Sequence, residues 1–127
     1  RDIKPFLEIT SHLGLDPLKT NVSCPIAGVA GYGGAMGPAQ LIPSTWKIFE
    51  NRLRDLLGRY ASPWEPQDAF MASAMYLTDL GAVGNSASAQ HRAACRYYGS
   101  GGATCAYSRS VMNFKQSIQK DIDLLSN

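Results

Sequence analysis

Gly34-Ala35-Met36-Gly37-Pro38-Ala39-Gln40-Leu41-Ile42-Pro43-Ser44-Thr45-Trp46 closes a stretch with no charged side chain between Lys19 and Lys47. A flexible linker is richer in Ser and poorer in Met, Leu, Ile and Trp. The composition therefore describes an ordered loop passing close to something, with one helical turn near Gln40. Pro43-Ser44 then opens a helix, Ser44 being a good N-cap. Trp46, Phe49, Leu53, Leu56 and Leu57 follow near helical spacing, and Gly58 can end it.

The same punctuation runs outward from this block. Lys4 to Leu13 reads as a short helix with Phe6, Leu7 and Leu13 apolar and Gly14 as its stop. Downstream, Trp64-Glu65-Pro66-Gln67-Asp68 is a second helix start, with Pro in the first turn and acids near the positive end of the dipole. That helix runs through Leu80 with Phe70, Ser73, Ala74 and Leu77 on one side, and Gly81 ends it. Asn85-Ser86 leads into a helix holding Ala89, Ala93 and Ala94. A last helix spans Ser108 to Leu125, with Val111, Phe114, Ile118, Ile122 and Leu125 as its apolar stripe. Nothing alternates as a strand does, so the fold class is all-α, with five or so helices and no internal repeat.

The totals exclude several function classes. Apolar residues make up 45% of the 127, enough to bury the core of a single domain covering residues 1–127. A formal charge of +2 is too small to argue for nucleic acid, and Arg52, Arg54 and Arg59 read as the wet face of a helix. No apolar run reaches membrane-spanning length. The first residue is Arg1, which is expected of a mature form, a proteolytic product or an excised piece of a longer chain. Gly31-Tyr32-Gly33-Gly34-Ala35-Met36 fails the dinucleotide pattern, because Met36 holds the third glycine position and no strand precedes it.

Three cysteines occur: Cys24, Cys95 and Cys105. No C-x-x-C is present, and His12 and His91 have no ligand-like spacing to them, so no zinc site is expected. Cys95 and Cys105 bracket the short loop R-Y-Y-G-S-G-G-A-T. They form a disulfide that closes it, or else are two unpaired small apolar residues. A bridge implies work outside the reducing cytosol, and leaves Cys24 free or paired elsewhere.

The block from Gly34 to Trp46 resembles the G-A-M-G-x-x-Q-[FL]-[MI]-P-S-[ST]-[WY] segment of lytic murein transglycosylases related to the membrane-bound type B enzymes. Trp64 to Ala69 is similar to that family's W-x-P-x-D-A helix start. Arg96-Tyr97-Tyr98-Gly99-Ser100-Gly101 stands where the family carries an aromatic-rich R-Y-N or Y-N-A-G loop. The three motifs occur in family order across Gly31 to Gly101.

The resemblance implies a lysozyme-like helical domain, incomplete at its N-terminus. It implies cleavage of the β-1,4 bond between N-acetylmuramic acid and N-acetylglucosamine in peptidoglycan, with 1,6-anhydro ends and no metal or organic cofactor. One Glu serves first as acid and then as base, and needs an apolar pocket that raises its pKa. It further implies an extracytoplasmic location and peptidoglycan strands as the partner. Gln40 corresponds to a cleft residue beside the catalytic acid, and Tyr97 to a cleft tyrosine. Tyr98 stands where relatives often have Asn.

The residue types suit a glycan. Glycines such as Gly37 let backbone approach a sugar, Gln40 both donates and accepts, and tyrosines stack on ring faces. The expected substrate-binding set is Tyr32, Met36, Gly37, Gln40, Tyr97 and Tyr98. Met36 reads equally as core, and Gln40 as a brace of its own loop. Trp46, Phe49 and Trp64 read as core, and Asp68 as a helix N-terminal acid. Asn21-Val22-Ser23 matches a glycosylation sequon of the kind common by chance.

Only three Glu exist, Glu8, Glu50 and Glu65, and none sits in the family's catalytic context. Pro5 to Thr10 resembles a helix that lies between the catalytic helix and the G-A-M-G block. The resemblance therefore places the acid upstream of Arg1, with Glu8 the one contender inside the chain. Three rivals stand beside it. A non-catalytic module binding peptidoglycan or chitin-like oligomers would leave bonds intact. A lysozyme-type hydrolase would give reducing ends. A helical domain without a ligand has no use for the uncharged glycine-rich loop.

Overall fold

In the computed structural model of the chain, residues 1–28 and 31–126 are described. Among them are five helices: α1 (Ile3–His12), α2 (Pro43–Leu57), α3 (Pro66–Asp79), α4 (Ala87–Tyr98) and α5 (Ala106–Leu125). The described residues contain no strand, only an isolated antiparallel bridge between Met36 and Leu41. The all-α expectation holds. The chain divides into two compact units, Arg1–Met75 and Tyr76–Asn127.

In the first unit α1 packs on α2. Ile9, Trp46, Phe49 and Leu53 are buried, as are Met36 and Leu41 from the loop between the helices. Each large side chain of this set contributes about 1.5–3 kcal/mol by leaving water. Ser44 is not the N-cap. The helix starts one residue earlier at Pro43, whose missing N–H costs nothing in the first turn. The Ser44 N–H, an orphan donor at that helix end, is taken at 2.8 Å by the carboxylate of Asp2, the residue that precedes α1. α2 ends as expected at Gly58, whose φ of 70° belongs to the left-handed region.

Asp68 does more than face a helix dipole. It is 2% exposed and accepts two hydrogen bonds from the Arg59 guanidinium, at 2.7 and 2.9 Å, and one from the Ser62 N–H at 2.8 Å. The Arg59 hydrogen bond holds its carboxyl below the usual 3.8. Burial acts against it, while the Ser62 N–H and the Arg59 charge reinforce it. The buried side of α3 is Ala69 and Ala72 with Asp68, whereas Phe70 is exposed.

In the second unit α4 packs on α5, with Ala93, Ala94 and Cys95 buried. Small side chains there let the two backbones come close. Cys95 and Cys105 form a disulfide with their Cα atoms 5.9 Å apart, and Cys24 is free and exposed. α4 starts where Ser86 predicts, its Oγ accepting from the Ala89 N–H at 3.3 Å. α5 starts at Ala106, before Ser108, because Cys105 and Ser108 cap it reciprocally. Ser108 is buried, and the expected stripe Phe114, Ile118, Ile122 and Leu125 is exposed. No helix among the described residues is long and apolar enough to cross a membrane.

Candidate functional site

Residues 13–42 connect α1 to α2, a longer connection than most in compact domains. Two sets of backbone bonds shape this connection. At its waist, the Ser23 N–H donates to the Ala35 carbonyl at 2.8 Å and the Gly34 N–H to the Ser23 carbonyl at 2.7 Å. The Ala35 N–H donates to Ser23 Oγ at 3.0 Å. These bonds hold Ser23 against Gly34 and Ala35. Nearer α2, the Met36 N–H donates to the Leu41 carbonyl at 3.0 Å, across a turn formed by Gly37 to Gln40.

That turn explains the residue types of the Gly34–Trp46 block. Met36, Ala39 and Leu41 are buried and anchor it, while Pro38 and Gln40 are exposed. Gly37 has φ 54°, and a Cβ there would lie 1.8 Å from the Pro63 carbonyl oxygen. The glycine is required by the backbone of the Pro63–Trp64 segment packed against it. Gly33 is similar, since a Cβ would meet the Ser23 carbonyl oxygen at 2.6 Å.

Gln40 is the sole non-glycine with positive φ, 52°, among the described residues. Holding a side chain in that region costs about 1–2 kcal/mol. Its Nε2 donates to the Gly37 carbonyl at 2.8 Å. Its Oε1 accepts no hydrogen bond from the described residues, which leaves an acceptor open to solvent. Gln40, Gly37, Asn21, Ser23 and Trp64 line a shallow hollow of about 360 Å³. Trp64, expected in the core, is only half-buried there. Its Nε1–H donates to the Asn21 carbonyl at 2.9 Å and its ring meets Phe6 edge-on, centroids 6.5 Å apart. A second, more apolar hollow of about 510 Å³ is lined by Phe6, Val22, Tyr32, Gly34 and Pro43. Val22 borders both.

The expected site residues therefore divide. Tyr32, Gly37 and Gln40 line hollows of the first unit, and Met36 lies beneath the same turn as a fully buried anchor. Tyr97 and Tyr98 belong to the second unit. Tyr97 is half-buried with its ring 5.1 Å from that of Tyr76, whereas Tyr98 is exposed and stacks on Tyr107. Sequence reasoning missed Trp64 as a lining residue and Tyr107 altogether. Tyr107 carried one signal, its place two residues beyond a cysteine that closes the aromatic loop.

The three Glu can be judged by their surroundings. The Glu50 side chain is 5% exposed and accepts hydrogen bonds from His12 Nδ1–H at 2.9 Å and from Lys47. Burial pushes its carboxyl up, but the bonds and charges of Lys47 and His12 outweigh this and leave it below 4.5. Tyr60 stacks on the His12 ring at 4.2 Å and seals the pair. Glu50 is thus held as an anion between two helices. Glu8 sits 3.4 Å from the Lys47 ammonium, and Glu65 is exposed. None occupies the apolar, charge-free surroundings that keep a carboxyl protonated. No group of three or more His, Cys, Asp or Glu among the described residues is placed to hold a metal ion.

Comparisons with family models, curated proteins and solved structures find no match for the chain.

Proposed function

We propose that this chain forms the glycan-binding part of an extracytoplasmic peptidoglycan lytic transglycosylase with a lysozyme-like helical domain. The enzyme would cleave N-acetylmuramic acid–N-acetylglucosamine bonds to 1,6-anhydro ends. The reading rests on the resemblance across Gly31 to Gly101. The observation that carries it furthest is Gln40, a strained, exposed side chain with an open acceptor on a turn anchored by three buried residues. Glycine would adopt that φ without cost, so the amide itself is what the position retains. The disulfide supports an extracytoplasmic location.

The placement of the three Glu favours a division of labour. Residues 1–127 bind glycan, and the general acid is not among Glu8, Glu50 and Glu65. That same observation supports the alternative, a module that binds peptidoglycan or chitooligosaccharide without cleaving it. Incubating purified peptidoglycan with residues 1–127, and separately with a longer chain that includes the upstream segment, decides between them. Soluble anhydro-muropeptides from the longer chain alone support the transglycosylase. Binding by both without release supports the module. Cleavage by residues 1–127 that is abolished by Glu8→Gln overturns the division.

A further inference from the structure

Tyr98 departs from the Asn that relatives often carry at this point of the aromatic loop, and the structure gives that departure a context. Tyr98 is the last residue of α4, and its ring lies parallel to that of Tyr107 in the first turn of α5. The ring centroids are 4.8 Å apart and the planes differ by 14°. Tyr98 is 61% exposed and Tyr107 36% exposed. Both rings reach solvent, Tyr98 more than Tyr107.

The pair is fixed from both ends. The Cys95–Cys105 disulfide ties α4, one turn before Tyr98, to the residue capping α5, two positions before Tyr107. The Cys105 N–H donates to Ser108 Oγ at 3.0 Å, and His91 Nδ1 lies 2.9 Å from the same hydroxyl. Burial, and secondarily Tyr98, raises the Tyr107 phenol above its usual 10.0. No charged residue occurs from Tyr97 to Ser108. A Cβ at Gly99 or Gly101 would meet nothing within 4 Å, so the ground beside the rings is open.

We infer that Tyr98 and Tyr107 form a preorganised aromatic platform for the apolar face of an aminosugar ring. Tyr98 makes the contact, and Tyr107 is the positioning residue that holds its ring flat. The inference rests on the proposed glycan-binding function and adds a subsite to it. A flat, open aromatic surface with hydroxyls at its edge suits the apolar face of a neutral sugar ring.

The test titrates the tetramer of N-acetylglucosamine into the 127-residue chain by calorimetry, with near-ultraviolet circular dichroism following the tyrosines. Tyr107→Ala should weaken binding about five- to tenfold, the scale of a lost aromatic contact. Tyr107→Phe should stay within about twofold, and Tyr98→Ala plus Tyr107→Ala should cost no more than Tyr98→Ala alone. The tyrosine signal of the wild type should change on binding, and that change should vanish in Tyr107→Ala. Folding of each variant is checked by its thermal melt. Wild-type affinity in Tyr107→Ala, with binding still sensitive to Gln40→Ala, overturns the platform and leaves the glycan-binding reading standing. Equal losses in Tyr107→Phe and Tyr107→Ala overturn the stacking role. No saturable binding by the wild type overturns both readings together.

Discussion

Two glycine-rich loops of this chain look alike in composition and are built on different physics. In the loop before α2, Gly33 and Gly37 sit where a side chain would strike backbone, and the loop is closed by backbone hydrogen bonds. In the loop between α4 and α5, Gly99 and Gly101 face open space and a covalent bridge does the closing. The first loop is shaped by what it packs against inside the protein. The second is constrained at its ends and open along its length. Glycine content alone does not separate a loop that must be tight from one that leaves room.

The same substitution should therefore act very differently in the two places. Gly37→Ala should destabilise the first unit by about 4 kcal/mol, because it combines a left-handed φ with a backbone collision. Thermal or urea unfolding measures this, and a loss under about 1 kcal/mol would mean the Pro63–Trp64 segment yields easily. Opening the second loop should come next. Cys95→Ala combined with Cys105→Ala should cost about 3 kcal/mol in the chain-entropy account of so short a loop. Hydrogen exchange should then accelerate around α4 and the start of α5, and leave the amides of Ser23, Gly34 and Ala35 as they were. Non-reducing peptide mapping should show the two cysteines linked. Two alkylatable thiols in addition to Cys24 would remove the basis of the contrast.

A third effect belongs to α3, whose Asp68 holds the Ser62 N–H just before the Pro63–Trp64 segment. Asp68→Asn should cost about 2 kcal/mol, the worth of charge-assisted hydrogen bonds from Arg59. Because the folded carboxyl titrates below 3.8, its contribution is complete above that value and fades as pH falls through the lower folded one. Wild-type stability should thus drop below about pH 4 more steeply than that of Asp68→Asn. Parallel acid profiles for the two would show that the pair does not matter. The smallest effect returns to the open loop, where Gly101→Ala should shift stability by less than about 1 kcal/mol. A large loss there would show that this loop, too, is tightly packed.

Much of the fold was legible in the sequence. Helix punctuation by Gly58, Gly81 and Ser86 was readable because caps act locally, within a turn or two. The inner face of α2 was readable because Trp46, Phe49 and Leu53 repeat at helical spacing. Which apolar residues are actually covered was not readable. Phe70 and Phe114 are exposed although both fit an apolar stripe, since periodicity marks a face and not what lies opposite. The role of Asp68 was hidden because Arg59 lies beyond the end of the preceding helix, and only the fold brings the two together. The site was legible in part. Gln40 stood out by resemblance, while its left-handed backbone and the neighbouring Trp64 depend on a turn that no local signal announces. Tyr107 pairs with Tyr98 only because the disulfide folds the intervening loop back.

Affinity of the Gln40→Ala chain for an N-acetylglucosamine or muropeptide oligomer, measured beside its melting temperature, separates glycan binding by the Gln40 amide from bracing of its loop. Alanine meets the same backbone strain, so the substitution removes the amide together with its one exposed bond to the Gly37 carbonyl. Binding should weaken about tenfold, the scale of one lost hydrogen bond that leaves its partner unpaired, with the melting temperature nearly unmoved. Unchanged affinity together with a large drop in melting temperature would make Gln40 a brace of its own loop and no part of a glycan site.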